Sequence, residues 1–316
     1  MERAAQRLRD GGLVAFPTET VYGLGANALD ASAVAKIYAA KGRPSYNPLI
    51  VHIDSVEAAQ ALVSGWNERA QTLARAFWPG PLTLVLPRSS RIPDIVSAGL
   101  PTVALRIPAQ RVARELLERA QIPLAAPSAN ASGEVSPTRA AHVSASLGEH
   151  IWVVDGGDCE IGIESTVVDV SGRFASILRP GVISENEIEA LIGPLTAPVS
   201  GGEEAPRPSP GMLSRHYAPR ARVHVFSSLT DAHFHAVLLG ENQKVGVLCF
   251  APTRIEDARE IVLPFDPRAC ARRLYAALRE LDEADVGLIL AEEAPDSAEW
   301  AGVRDRLRRA ARGHEK

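Results

Sequence analysis

Hydroxyl, amide and guanidinium groups recur where apolar runs of this sequence end, and they supply most of its candidate chemistry. The first such segment, residues 16–25, presents Thr18, Glu19 and Thr20 between a proline and two glycines. Open α/β sheets place their ligands in loops at the carboxyl ends of strands, which favours a binding site here. A polar turn whose glycines supply unusual dihedral angles explains the same residues, so this segment alone leaves both interpretations open.

Two cations flank a glycine in the sequence Lys41-Gly42-Arg43. A helix that ends in lysine, then glycine, then a nearby proline is a standard C-terminal stop, which explains Lys41 and Gly42. That stop does not explain Arg43 or the following Asn47, and paired cations beside a sheet edge suit a polyphosphate. His52 lies in the next apolar run, where a lone histidine is more often a core residue than a ligand.

Arg106 interrupts an otherwise apolar run at residues 102–107. An arginine inside a sheet needs an anion or several hydrogen-bond acceptors to offset its desolvation. Its partner is either a structural Asp or Glu, or a substrate carboxylate held by two parallel hydrogen bonds.

The loop at residues 125–138 is dense in hydroxyl and amide groups. Ser136, followed by Pro137, predicts a helix start with Ser136 as the N-cap. Ser128 and Asn130 precede that cap by several residues, so they have no such structural explanation and are candidates for binding.

Residues 162–181 add further hydroxyls and another cation. Ser165 and Thr166 begin a predicted strand, and Arg179 ends the next one in a tight Arg-Pro-Gly turn. Taken one at a time, each is an ordinary turn residue.

The motifs of several well-known enzyme classes are absent from the sequence. It contains no GxxxxGK[ST] phosphate loop, no GxSxG, no HExxH and no clustered His/Cys set, and no metal-ligating residues are assigned. No strong pair of nucleophile and base is readable. Hydroxyls, amides and arginines suit a site that binds a nucleoside triphosphate and an acid and acts by positioning and charge stabilisation.

Composition narrows the class of protein. The 316 residues are 46% hydrophobic and 23% charged, which excludes a disordered or collagen-like chain. The net charge of −4 argues weakly against a nucleic acid as the main ligand. Three separated cysteines indicate neither a zinc ribbon nor a disulfide framework. Without an apolar signal region or a membrane-length run, the expected setting is the cytoplasm.

Apolar, β-branched runs alternate with helical periodicity and predict one sizeable mixed α/β domain over residues 1–192. Strands are predicted at residues 13–16, 49–53, 82–86, 103–107, 122–125, 151–154, 166–170 and 175–178, and helices at 1–10, 31–40, 68–76 and 111–120.

Residues 193–220 are rich in proline and glycine, which predicts either a linker or a functional lid. A plain spacer needs neither His216 nor Tyr217. Residues 221–316 return to strand–helix alternation and predict a small, parallel, Rossmann-like sheet covered on both faces. Strands are expected there at 222–226, 245–250, 261–263 and 286–290, and helices at 231–238, 267–282 and 297–311. No GxGxxG follows these strands, so a dinucleotide site is not supported.

In their order along the chain, these segments closely resemble the YrdC/Sua5 family. The matching motifs are PTETVYGLG, KGRP with NPLIVH, LRIP, PSAN, ESTVVD, LRPG and SPGM with HYAP. The resemblance implies a twisted, open, mixed α/β sheet of the YrdC type, followed by the smaller C-terminal domain of the long Sua5 type. The family signature, Lys-x-Arg with Ser-x-Asn, falls on Lys41, Arg43, Ser128 and Asn130.

The resemblance also implies an activity, threonylcarbamoyl-AMP synthesis by a nucleotidyltransferase. Such enzymes convert L-threonine, bicarbonate (or CO2) and ATP, with Mg2+ on its phosphates, into L-threonylcarbamoyladenylate and pyrophosphate. A separate transferase then uses the product to form N6-threonylcarbamoyladenosine at position 37 of tRNAs that read ANN codons.

Residue roles follow from the same resemblance. Threonine is expected at Thr20, His52, Arg106, the Ala126 backbone and Ser165 or Thr166. ATP is expected at Arg43, Asn47, Thr102, Ser128, Ser136 and Arg179, with Lys41 and Asn130 near its phosphates and Tyr217 closing over it. Lys41, Arg43 and Asn130 are the residues expected to act in catalysis.

Three other functions remain as alternatives. The family surface can accept RNA, so an RNA-binding module without turnover is the first. A hydrogenase-maturation carbamoyltransferase contains a related domain but would carry zinc motifs and an acylphosphatase segment that are absent here. A regulatory protein with an effector-binding C-terminal domain is the third.

Overall fold

The computed structural model describes residues 1–198, 217–229, 237, 243–253, 255 and 257–312. Twelve strands in these segments form two sheets. The strands are β1 (Val14–Phe16), β2 (Gly23–Asn27), β3 (Ile50–His52), β4 (Leu82–Pro87), β5 (Thr102–Arg106), β6 (Leu124–Ala125), β7 (Thr166–Asp169), β8 (Ser176–Arg179), β9 (Arg222–Phe226), β10 (Val245–Cys249), β11 (Arg259–Val262) and β12 (Leu288–Glu292). The helices are α1 (Glu2–Arg9), α2 (Ala31–Lys41), α3 (Val56–Gln60), α4 (Glu68–Phe77), α5 (Asp94–Ser97), α6 (Arg111–Ala120), α7 (Ala140–Leu147), α8 (Glu185–Ile192), α9 (Pro267–Glu283) and α10 (Ala301–Arg312), with a 3-10 turn at Ala298–Trp300.

The large sheet has the strand order β1-β2-β6-β3-β5-β4-β7-β8. β3 runs parallel to β5 and β4 parallel to β7, whereas the other neighbouring pairs are antiparallel. The central strands are buried almost throughout because helices and loops cover both faces, which explains their continuous apolar runs. This architecture confirms the predicted mixed α/β fold.

The register of the central strands brings two candidate site residues together. His52 of β3 lies directly beside Arg106 of β5 in the parallel pair. Side chains alternate between faces along a strand, so Ile50 and His52 share a face with Ala104 and Arg106. A histidine and an arginine that are 54 positions apart therefore stand next to each other over one face of the sheet.

Local sequence explains where the helices begin and end. Asp30 caps α2 by accepting from the amides of Ser32 and Ala33, and Asn67 caps α4 in the same way. α2 ends at Lys41, and Gly42 follows in the left-handed region at φ 58°, which confirms the predicted stop.

The second sheet has the order β11-β10-β12-β9, and all its pairs are parallel, as predicted. β12 begins two residues later than expected. The helix predicted at residues 231–238 and most of the Pro-rich segment lie outside the described residues.

The two sheets belong to units that share buried apolar contacts. Val21, Val135 and Ile163 pack in one cluster with Tyr275 and other residues that follow position 216. Gly302 permits the close approach of α10, because a Cβ there would lie 2.7 Å from the carbonyl oxygen of Gly181. The first turn of α10 therefore lies directly against the turn that follows Arg179.

Two details of the strand prediction are wrong. Residues 151–154 form only an isolated bridge, between Val153 and Ala15, because the chain leaves the edge of β1 after one residue. β2 was not predicted, since its two glycines are typical of a turn. They are needed in a strand here because a Cβ at Gly25 would lie 2.7 Å from the Phe16 ring.

The prediction of Ser136 as an N-cap is also wrong. α7 begins at Ala140 with Arg139 in the cap position. Ser136 is fully buried, and its hydroxyl donates to a Glu164 carboxylate oxygen 2.5 Å away. The Ser136 hydroxyl therefore bonds to a residue that is distant in the sequence, and it does not cap the helix that the local sequence predicted.

Candidate active site

A central cavity lies over the face of the large sheet that carries Ile50, His52 and Arg106. Its volume is about 40 Å³, enough for one or two water molecules. Fifteen residues line it: Thr18, Thr20, Val21, Gly23, Arg43, Ile50, His52, Arg106, Ala126, Pro127, Ser128, Glu164, Ser165, Arg179 and Tyr217. Three of the lining residues are arginines and one is a carboxylate, so the cavity favours an anion.

Arg106 is held in place by groups of the first polar segment. Its Nη2 donates to Glu19 Oε1 at 2.6 Å, its Nη1 to Thr20 Oγ1 at 2.9 Å, and its Nε to the Gly80 carbonyl at 3.2 Å. Both partners of the ion pair are buried. Of the two partners considered for Arg106, the structural carboxylate is present, and three of the five N–H donors are engaged with the described residues. Two donors remain for a ligand.

Glu19 is itself fixed by a helix start. Its second carboxylate oxygen accepts from the amides of Ala109 and Gln110, at 3.0 and 3.4 Å, just before α6 begins. The N-terminal amides of α6 and Arg106 together hold this carboxylate in place. The polar segment at residues 16–25 is therefore both a structural turn and a wall of the central cavity.

His52 is buried in the cavity wall with its ring edge against the Phe16 ring, at a centroid distance of 6.0 Å. Burial, with the nearby positive charge of Arg106, lowers its pKa to about 3. Its Nδ1 atom is buried without a hydrogen-bond partner among the described residues. A neutral imidazole with an orphaned nitrogen in a cavity wall is suited to hydrogen-bond a ligand.

The pKa of His52 predicts a pH dependence of stability. This histidine takes up a proton below about pH 6.5 in the unfolded chain but only near pH 3 in the folded chain. Its contribution to the free energy of unfolding is therefore fully present above pH 6.5 and is lost as the pH falls. We expect the free energy of unfolding to fall between about pH 7 and about pH 5 in the wild type. In His52→Asn this fall should be about 2 kcal/mol smaller, as measured by urea titration at the two pH values. Equal losses in the two proteins would contradict the burial of a neutral histidine.

Arg43 approaches the cavity from the end of α2. Its Nε and Nη2 donate to the carbonyls of Asn47 and Pro48, at 3.2 and 2.9 Å. No ion pair joins it to a carboxylate within the described part of the chain. Burial lowers its pKa to about 10, so an anion in the cavity would stabilise its charge.

Arg179 reaches the same space from the end of β8. Its guanidinium donates to the Ser165 carbonyl, at 3.1 and 3.0 Å, and to the Ser165 hydroxyl at 3.1 Å. The Ser165 hydroxyl also lies 2.7 Å from the Thr83 hydroxyl. Thr166 points elsewhere, because its hydroxyl donates to the Ile183 carbonyl at 2.9 Å. Of the two alternatives for the threonine site, only Ser165 lines the cavity.

Lys41 does not line the central cavity. Its ammonium is buried beneath the loop at residues 128–130 and donates to the carbonyls of Ser128, at 2.6 Å, and Asn130. Burial lowers its pKa well below the usual value. The lysine of the family signature thus shapes the loop that carries the serine and asparagine of the same signature.

Lys41→Met should therefore destabilise the protein, because two buried carbonyls lose their donor. We expect a loss of about 2 kcal/mol or more in the free energy of unfolding, measured by urea titration. Lys36→Met on the same helix is the matched control, since Lys36 is exposed and, among the described residues, donates only to the Gly11 carbonyl. A Lys41 variant as stable as the control would contradict this role.

Glu164 was not predicted as a site residue, although it precedes Ser165. Its carboxylate lines the cavity, accepts from Ser136, and accepts from the Tyr275 hydroxyl at 2.9 Å. It also pairs with Arg306 of α10 at 2.8 Å. Arg306 and Tyr275 lie more than 100 positions further along the chain in helices of amphipathic pattern, so no local signal marks them.

The structure thus brings together most of the predicted residues. Nine of them line the cavity: Thr20, Arg43, His52, Arg106, Ala126, Ser128, Ser165, Arg179 and Tyr217. The other six do not line it: Lys41, Asn47, Thr102, Asn130, Ser136 and Thr166. Among these, Asn47 Nδ2 and Asn130 Oδ1 are buried without a partner in the described residues.

The residues at the cavity do not fit a protein-held Mg2+. Glu164, its one carboxylate, is paired with Arg306, and the nearby Glu19 is paired with Arg106. Nowhere in the described segments do three or more His, Cys, Asp or Glu side chains form a group able to hold a metal ion. Mg2+ would therefore need its ligands from a bound phosphate and from water.

Comparisons with known proteins identify the family. The family profile of Sua5, YciO and YrdC, described as "Telomere recombination", matches residues 6–181. A second profile, "Threonylcarbamoyl-AMP synthase, C-terminal domain", matches residues 183–312. The first match alone covers more than half of the chain.

Curated relatives and a solved structure agree with these matches. Threonylcarbamoyl-AMP synthase of Pyrococcus abyssi is 45% identical, over 97% of this chain and 92% of the relative. The Bacillus subtilis protein of the same name is 43% identical, over 98% of this chain and 92% of the relative. The crystal structure of P. abyssi Sua5 complexed with L-threonine superposes with a TM-score of 0.92 at 43% identity, over 99% of this chain and 94% of that one. Among the described residues, no helix has both the length and the apolar character needed to cross a membrane.

Proposed function

Because this chain belongs to the YrdC/Sua5 family, we propose that it is a threonylcarbamoyl-AMP synthase of the long type. The enzyme joins L-threonine, bicarbonate or CO2, and ATP into L-threonylcarbamoyladenylate and releases pyrophosphate, which makes it a nucleotidyltransferase. Relatives with this activity in their name align with nearly the whole chain. This favours turnover over a module that only binds RNA.

The observation that carries the proposal is the convergence of Arg43, Arg106 and Arg179 on one buried cavity. Buried guanidinium groups are stabilised by anions, and they bind carboxylates and phosphates in bidentate fashion. An amino acid and a nucleoside triphosphate supply both kinds of anion.

Threonine is assigned to the end of the cavity formed by Arg106 and His52. The two remaining N–H donors of Arg106 face no other acceptor among the described residues and suit the threonine carboxylate. Thr20, Ser165 and the Ala126 backbone offer hydrogen bonds to the threonine hydroxyl and amine, and the orphaned Nδ1 of His52 offers another. The matched P. abyssi structure holds L-threonine, which supports this choice of amino acid.

ATP is assigned to the part of the cavity that Arg43 and Arg179 line. Their charges suit the phosphates. Ser128, Ser136, Asn47 and Thr102 are proposed to contact the nucleotide, while Lys41 and Asn130 hold the phosphate-side loop in shape. Mg2+ is expected to arrive with ATP, held by phosphate oxygens and water.

The chemistry then needs positioning and charge stabilisation more than proton transfer. The threonine amine attacks the carbon of CO2 or bicarbonate and loses a proton, which gives N-carboxythreonine (and water from bicarbonate). A carbamate oxygen attacks the α-phosphorus, the bond to the bridging oxygen breaks, and pyrophosphate leaves with the electron pair. Arg43 and Arg179 stabilise the charge that develops on the phosphates. The carbamate is already an anion and needs no general base for this step.

Tyr217 is proposed to act as a lid residue. Its ring is buried in the cavity wall, and a volume of about 40 Å³ is far below the roughly 300 Å³ that a ligand of this size needs. The nucleotide therefore requires a wall of the cavity to move. Closure of Tyr217 over the bound nucleotide would then keep water from the unstable carbamate.

The proposed product is an activated carbonyl compound, and a separate transferase is expected to carry its threonylcarbamoyl group to position 37 of tRNAs that read ANN codons. We place this work in the cytoplasm, where ATP and tRNA meet. Any RNA binding by the chain itself is expected to be weak.

The test is pyrophosphate release from ATP with and without L-threonine and bicarbonate, and with serine or valine as control amino acids. We expect release to need both threonine and bicarbonate. Release that needs neither would indicate an ATP pyrophosphatase instead. No release, together with salt-dependent RNA binding, would favour the binding module.

A further inference from the structure

Arg306 is a buried cation that the proposed chemistry does not use. It lies on α10 of the C-terminal unit and its side chain is fully buried, yet it does not line the central cavity. A buried arginine is costly unless its donors are satisfied. One of its partners is Asp305 on the same helix, 2.7 Å away, which also pairs with Arg309. The other groups that satisfy it belong to the part of the site proposed for the nucleotide.

The first of these groups is Glu164. Arg306 Nε lies 2.8 Å from Glu164 Oε2, the oxygen that also accepts from the Tyr275 hydroxyl at 2.9 Å. The other carboxylate oxygen, Oε1, accepts from Ser136. Two residues of the C-terminal unit thus hold the one carboxylate that lines the cavity.

The second contact fixes the turn after β8. Arg306 Nη1 donates to the Pro180 carbonyl at 2.9 Å, next to Arg179. Gly302 lies one turn earlier on the same face of α10 and allows this approach to Gly181. The guanidinium carbon also lies 5.0 Å from the centre of the Tyr217 ring, within cation–π distance.

The charge balance shows what Arg306 contributes. Although burial raises the pKa of Glu164, the charges of Arg306 and Arg179 and the hydrogen bonds lower it to about 2, so it is an anion at neutral pH. Without Arg306, a bare carboxylate would face the phosphates and compete with them for Arg179. With Arg306 in place, that carboxylate is neutralised and serves as an acceptor that orients Ser136.

We propose that Arg306 is a positioning residue for the nucleotide, through which the C-terminal unit completes the ATP end of the site. It neutralises Glu164, and it fixes the turn that carries Arg179. This gives the C-terminal unit a role in nucleotide affinity, and it rests on the proposed function only in naming ATP as the ligand.

The test compares ATP binding by calorimetry, and the KM values for ATP and threonine, in wild type and variants of the full chain. Arg306→Met should weaken ATP binding and raise the ATP KM by about tenfold or more, with little change in the threonine KM. Glu164→Gln combined with Arg306→Met should recover most of the loss, because the unpaired charge is gone. Arg308→Ala on the same helix is the matched control, since the one contact of Arg308 within the described part of the chain is an exposed ion pair with Glu293.

Tyr275→Phe is a milder variant for the case that Arg306→Met does not fold. It removes one hydrogen bond to Glu164 and should weaken ATP binding about fivefold, the equivalent of an ordinary net hydrogen bond.

Wild-type ATP affinity in Arg306→Met, or in Tyr275→Phe where that variant replaces it, would overturn the proposal. So would an Arg306→Met loss that Glu164→Gln leaves unchanged, because Arg306 would then act by packing alone. If the wild type binds ATP and releases no pyrophosphate, the synthase function fails, while the affinities still test Arg306. If the wild type does not bind ATP, both fail.

Discussion

Arg106→Ala is expected to raise the threonine KM about 100-fold and to leave the ATP KM nearly unchanged. Loss of a buried, charge-assisted pair of hydrogen bonds to a carboxylate has an effect of this size. Arg106 is buried in the part of the cavity proposed for threonine, beside His52. Among the described residues it binds Glu19, Thr20 and Gly80, which leaves two N–H donors. Steady-state pyrophosphate release at varied threonine and ATP separates the two constants.

Glu19→Gln provides the matched control for this experiment. It removes the internal carboxylate partner but keeps the guanidinium, so the positive charge of Arg106 is less neutralised and threonine should bind as well as in the wild type or better. The two variants of one ion pair should therefore affect threonine in different directions. An unchanged threonine KM in Arg106→Ala, or an equal rise in both variants, would mean that Arg106 only supports the fold.

A chain cut after residue 192 is expected to lose turnover by about 100-fold or more while it remains folded. The eight-stranded sheet and α1–α8 lie within the retained residues, as do nearly all residues of the apolar clusters on the sheet's two faces. The cut removes Tyr217 from the cavity wall and Arg306 and Tyr275 from Glu164. Glu164 is then an unpaired anion where the phosphates should bind, a costly arrangement of like charges.

Circular dichroism and pyrophosphate release measure the two halves of this prediction. A truncated chain with Glu164→Gln should bind ATP more tightly than the truncated chain alone, because the repelling charge is absent. It should still turn over slowly, since Tyr217 is missing. Full activity of the truncated chain would show that the Pro-rich segment only tethers the C-terminal unit.

Much of the fold follows from local patterns. The apolar runs that form β3, β4, β5 and β7 are long enough to identify each strand from the sequence. Asp30 and Gly42 mark the beginning and end of α2 because capping depends on a few neighbouring residues. β2 was not predicted because its glycines are required by contact with the Phe16 ring, which lies outside the strand itself.

The sequence by itself determined the class of chemistry, since the ordered motifs place Arg43, Arg106, Ser128 and Arg179 among strand ends and loops, and these residue types bind phosphates and carboxylates. Only the tertiary structure decided which groups share the cavity. In the structure the Thr166 hydroxyl bonds away from the cavity, Lys41 lies beneath a loop, and Ser136 donates to Glu164. Glu164 also pairs with Arg306, 142 positions away. Local patterns report backbone conformation, whereas the partner of a buried charge depends on which distant elements pack against it.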